Sequence, residues 1–186
     1  MSEIIGVLFK YLLVLIAIGA VVSIFYEAMS TSNTSMATND LTQIQQNIYE
    51  LSSGESGVNQ ITMPSDLINS GVLPTSMLSS ASSTGIIDPW GDVVQVAAKT
   101  PSESVTSLVF PDVPLSACTK LTVSAAQAGI SIIFSASTIY PSDQNLVSDA
   151  AQACTSTNSS TLSMTFTFYP DNVASSTASS QSEPQT

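Results

Sequence analysis

Apolar positions along this chain change character twice. Residues 4–25 read IIGVLFKYLLVLIAIGAVVSIF, apolar all round and interrupted only by Lys10, Ser23 and two glycines. As a helix this run is roughly 30 Å long, the thickness of a hydrocarbon core. After the polar patch STSNTS at 30–35, the apolar positions thin to Met36/Ala37, Leu41, Ile44, Ile48 and Leu51. Those spacings form the one-sided stripe of an amphipathic helix. No proline occurs before Pro64, and SSGESG at 52–57 breaks the pattern. The pattern predicts one helix of about 50 residues, or two helices joined by a linker at 31–35. In either case Leu41, Ile44, Ile48 and Leu51 need a globular partner.

Beyond residue 57 the elements are short. MPSDLINSG at 63–71 predicts a helix with Pro64 and Ser65 at its start and Gly71 at its stop. SSASSTG at 79–85 is a loop. DPWG at 88–91 has the turn residues Asp, Pro and Gly in their preferred positions and feeds a strand at 92–98. A second strand at 104–110 makes a hairpin, with Lys99 and Pro101 in its loop. LSACTKLTVSAAQAG at 115–129 predicts a helix with Leu115, Cys118, Leu121 and Ala125 on one face. ISIIFSA at 130–136 reads as a strand. A helix from an N-cap at Ser142 would bury Leu146, Val147, Ala150, Ala151 and Cys154. TLSMTFTFY at 161–169 alternates strictly, with Leu162, Met164, Phe166 and Phe168 facing a core. The predicted class is therefore α+β: a long N-terminal helix packed on an antiparallel sheet with short helices. The organisation is an apolar helix half (1–28), an amphipathic half (29–55), a globular head (56–169) and a Ser/Thr-rich flexible tail (170–186).

Charge narrows the function. The 186 residues hold 3 Lys+Arg against 14 Asp+Glu, a net of −11, with no histidine. Three basic residues cannot form the patch that phosphate backbones require, so nucleic acid is excluded as a partner. Without histidine most general-base, triad and zinc chemistry is absent. No catalytic residue, metal or cofactor is predicted, because turn and cap duty accounts for Asp66, Asp88 and Asp92.

The start of the chain reads Met1-Ser2-Glu3, without the basic opening or small-residue cleavage site of a signal peptide. The apolar run is thus expected to be a retained segment. Lys10 places its N-terminal end on the cytoplasmic side and the rest of the chain outside. Outside the cytoplasm, the simplest use of the two cysteines, Cys118 and Cys154, is one disulfide between two helices; the alternative is two buried thiols.

The long helix, the segments LINSGVLPTSML, DPWGDVVQV and VPLSACTKL in that order, and Cys154 together resemble a type IV pilin. The similarity is to the type IVb class, including the pilins of conjugative thin pili, and it covers most of residues 1–169. It implies the major structural subunit of a surface filament of identical chains rather than an enzyme. The subunit would be held in the inner membrane before assembly, processed by a prepilin peptidase, methylated at its new N-terminus, and polymerised by pilus assembly machinery. Met1 then reads as the mature N-terminus. The family carries a glutamate at the fifth mature position, whereas this chain has Ile5 there and Glu3 as its early acid. Glu3 and Lys10, with Met1, are the predicted assembly residues. A minor pilin or pseudopilin has the same architecture, and the rival from another class is a membrane-tethered adhesin or binding domain.

Overall fold

The structure is a computed structural model; it describes residues 2–53, 63–79, 85–97, 105–135, 137–155 and 159–169, without the side chains of 2–8, 19–28 and 53. The linker residues Lys99 and Pro101 and the tail from 170 lie outside the described residues, as does most of the 79–85 loop. The first element, α1, is one uninterrupted helix over Ser2–Ser53. The polar patch at 30–35 does not divide it. There the Thr34 hydroxyl donates to the Ser30 carbonyl at 2.8 Å and Ser35 to Thr31 at 3.0 Å. Thr38 and Thr42 repeat the contact one and two turns on, at 2.9 and 2.8 Å. Hydroxyls that satisfy themselves on the preceding turn leave the helical ladder intact.

The short helix α2 spans Pro64–Asn69, with Pro64 at its first turn and Gly71 at φ +71° just past its end. A 3-10 turn follows at Thr75–Met77. DPWG forms the turn its residues predict. The Gly91 N–H donates to the Asp88 carbonyl at 3.0 Å, and Gly91 takes φ +98°, where a side chain would strain the backbone.

Five strands form an antiparallel sheet in the order β1-β2-β5-β3-β4. They are β1 (Gln95–Val96), β2 (Thr106–Pro114), β3 (Ser131–Ile133), β4 (Thr138–Ile139) and β5 (Thr161–Phe168). The β1–β2 hairpin is as predicted, although β1 is only two residues long. β2 runs four residues further than the alternation suggests. Phe110 pairs with Met164 and Val113 with Leu162, so one extra residue bulges out on β2. A bulge is where a strand accepts a residue such as Pro111, which has no N–H to give the ladder. The predicted strand at 130–136 is instead the shorter β3, whose partner β4 was not anticipated.

Helices α3 (Leu115–Gln127) and α4 (Leu146–Thr155) complete the head. α3 lies against α1 and also against β2, β3 and β5. α4 starts at Leu146 rather than from a cap at Ser142. The residues before it form a turn in which the Asp143 carboxylate accepts the Tyr140 N–H at 2.8 Å. Its buried residues are Ala150, Ala153 and Cys154, and Val147 is left 64% exposed. The core is one cluster in which Leu41, Ile44 and Ile48 of α1 join Leu108 and Phe110 of β2 and the β5 face of Leu162, Met164, Phe166 and Phe168. Phe110 and Phe166 meet edge to face with centroids 5.0 Å apart, a favoured aromatic geometry.

Candidate assembly surface

α1 has two surfaces of opposite character. From residue 34 on, one face is sealed into the head: Leu41, Ile44 and Ile48 are fully buried and Leu51 is partly so. Polar ties hold this half in place. Ser76 Oγ donates to Asp40 Oδ1 at 2.7 Å, Gln45 Nε2 to the Tyr169 carbonyl at 3.0 Å, and Asn47 Nδ2 to the Val72 carbonyl at 2.8 Å. None of these three ties was predicted. Asp40 carried the one available signal, since it falls four residues before Ile44 on the side of the apolar stripe.

The other half of α1 is bare. Every large apolar side chain from position 9 to 18 is 49–69% exposed, on all sides of the helix. Soluble monomers rarely leave so continuous an apolar surface uncovered, and one this size marks an interaction site. Lys10 sits within it, exposed. Met1 and the Glu3 side chain lie outside the described residues, while the backbone at Glu3 is already helical. Among the described residues no helix is long and apolar enough to cross a membrane. Much of the run expected to do so, 4–25, has side chains outside the description.

Cys118 of α3 and Cys154 of α4 are joined in a disulfide, Cα to Cα 5.9 Å, with both residues buried. Two helices too short to bury much area alone are thereby locked together.

The concavities among the described residues are open to solvent. One of about 380 Å³ lies between β4 and α4, lined by Asp143, Asp149 and Gln152; another of about 290 Å³ sits beside Gln45, Tyr49 and Glu50. Among the described residues no group of acids or cysteines is placed to hold a metal ion. The acids near turns have structural partners. Asp66 accepts the Met63 N–H at 2.9 Å, and Asp88 Oδ1 accepts those of Trp90 and Asp92, both at 2.9 Å. Burial still pushes the Asp88 carboxyl above the ordinary aspartate value, against those backbone donors, and the neighbouring Asp92 charge adds to the rise.

The family model described as PilS N terminal matches residues 31–167, most of the chain. A crystal structure of the type IVb pilin from Salmonella typhi superposes with a TM-score of 0.53 at 18% identity, covering 72% of this chain and 97% of that one. At that identity the likeness concerns the fold. No curated protein matches. A long helix half sunk in an α+β head, an antiparallel sheet and a disulfide between α3 and α4 are thus the type IVb pilin fold, and the chain belongs to the PilS N-terminal family.

Proposed function

We propose that this chain is the major structural subunit of an extracellular type IVb pilus. The observation that carries the reading is the division of α1. Its second half is buried in the head, while the described residues of its first half expose large apolar side chains in every direction. A surface apolar all round needs either lipid or several like neighbours, and a filament core of parallel helices supplies the neighbours. Before assembly the same residues hold the subunit in the inner membrane, N-terminus on the cytoplasmic side. A prepilin peptidase and the pilus machinery act on it there.

On this reading residues 1–28 form the filament core, 29–55 join core to head, 56–169 form the outward-facing head, and 170–186 are a solvated tail. A disulfide suits a head that works outside the cell. The role is mechanical rather than catalytic.

Electron microscopy of sheared surface material, with mass spectrometry of the same fraction, tests the assignment. Long filaments composed mainly of this chain are expected. Filaments in which it is a trace component would make it a minor pilin, and its confinement to membranes without filaments would make it a tethered binding domain.

A further inference from the structure

Gln45 is only 8% exposed, next to Ile44 on the side of α1 that enters the head. A buried side-chain amide is stable when both its donor and its acceptor are paired. Here the donor is: Nε2 gives its hydrogen to the Tyr169 carbonyl at 3.0 Å. The acceptor, Oε1, is buried with no hydrogen-bond partner among the described residues. Gln45 also lines the hollow of about 290 Å³ on the flank of α1. The rest of that lining is Gln46, Tyr49 and Glu50, with Ala128 at the end of α3. Tyr49 follows Gln45 by one helical turn on the same face, and its ring is 51% exposed. The hollow therefore offers an unmet acceptor at one end and an aromatic surface at the other.

The chain itself arrives at this place. β5 ends at Phe168, Tyr169 is held by Gln45, and the next residues read Pro170-Asp171-Asn172-Val173. Proline has no N–H, so the first donor after the bound carbonyl is the Asp171 amide. In an extended chain a carbonyl and the N–H two residues on point to the same side. The Asp171 N–H thus faces Gln45 as the Tyr169 carbonyl does. Val173 is the only branched aliphatic residue after Tyr169. Four extended residues reach up to about 13 Å, whereas one turn of α1 from Gln45 to Tyr49 is about 6 Å. The segment is long enough with slack for a bend at Pro170.

We propose that residues 170–173 form a strap across this hollow, with the Asp171 N–H donating to Gln45 Oε1 and Val173 packed on the Tyr49 ring. The occupant is this chain's own segment because the bond from Gln45 to Tyr169 holds its start at the rim. Such tethering gives an effective concentration that a separate partner does not match. Glu50 and Asp171 are both acidic, so no ion pair contributes; a backbone hydrogen bond and an apolar contact hold the strap. It fastens the exit of the central strand, β5, to α1 and leaves 174–186 as the solvated part of the tail. The inference concerns a single subunit and stands apart from the filament reading.

Residue-resolved hydrogen exchange on the full chain in detergent micelles tests it. The Asp171 amide should exchange about tenfold or more slowly than the amides of 174–182. Exchange at the same rate overturns the strap. This measurement needs no variant, so it decides even where a substitution disturbs the head. A second one locates the strap. Tyr49→Cys combined with Val173→Cys should form an intrachain disulfide under mild oxidation, mapped beside Cys118–Cys154. Gln43→Cys, about 120° round the helix from Tyr49, should give about tenfold less of it with Val173→Cys. Equal yields from the two pairs overturn the placement. Mixed copies carrying Tyr49→Cys or Val173→Cys alone should give few dimers. A dimer yield matching the intrachain bridge would mean that a neighbour's tail fills the hollow, which overturns the proposal as well.

Discussion

Ser76 Oγ donates to Asp40 Oδ1 at 2.7 Å, and across that bond the 3-10 turn is tied to α1. The second oxygen, Asp40 Oδ2, is buried with no hydrogen-bond partner among the described residues. A carboxylate in this position is held by one hydroxyl and is otherwise desolvated.

A pH dependence follows. Burial raises the Asp40 carboxyl above its ordinary value of 3.8, and the Ser76 hydrogen bond only partly opposes the rise. Because the folded-state value exceeds the unfolded one, the contribution to stability is fully present below the ordinary aspartate value. It is lost as pH rises through the folded value. The subunit's melting temperature should therefore fall as pH rises above the ordinary aspartate value and through the folded one. Asp40→Asn keeps an oxygen for Ser76 and removes the charge, so it should raise the melting temperature at neutral pH and flatten the slope. An unchanged slope in that variant would assign the effect to other acids.

Cys154→Ser should lower stability by about 4 kcal/mol at most, the chain-entropy value for a loop of this size; the bridged cysteines are 36 residues apart. Urea unfolding in detergent micelles, with and without reductant, measures the difference. A wild type unaffected by reductant under conditions that open the bridge would contradict the expectation.

Ile48 is fully buried in the core cluster, and Met36, on the same helix, is 44% exposed. Ile48→Ala should cost about 2–5 kcal/mol, the range for truncating a buried aliphatic side chain. Met36→Ala should stay within about 0.5 kcal/mol of wild type. Unfolding free energies of the two whole-chain variants, compared side by side, check the depth to which α1 is sunk in the head.

Gly91 has φ +98° and open space where a Cβ would project. Gly91→Ala should thus cost only the backbone term, about 1–2 kcal/mol. A larger loss would mean that the DPWG turn bears on a neighbouring surface.

Much of this fold is legible in the residues because it depends on local rules. The alternation at 161–169 marks β5, the stripe ending at Leu51 marks the buried half of α1, and Asp88, Pro89 and Gly91 mark their turn. What was not legible depends on distant partners. Pro111 argues against strand by propensity, yet β2 continues through it because the bulge lets Val113 pair with Leu162 across the sheet. β4 is two residues long and takes its identity from β3, which no period in the sequence encodes. Val147 looked like a core residue beside Leu146, but in the first turn of α4, which begins only at Leu146, it is left exposed. The exposed run around Lys10 follows directly from the sequence. The polar ties of Asp40, Gln45 and Asn47 do not, because each needs a partner from a remote segment.

The strand order carries a consequence for biogenesis. β5, the last of the described strands in chain order, lies in the middle of the sheet, between β2 and β3. Until it arrives, β2 has only the two residues of β1 beside it and β3 only those of β4. Such fragments bury too little to stand alone. The closing step is also remote: Thr106 must find Phe168, and pairings separated that far in sequence form slowly. The sheet of the head therefore closes only once β5 is in place, and a chain cut before residue 161 would leave β2 and β3 with open edges for proteases to find.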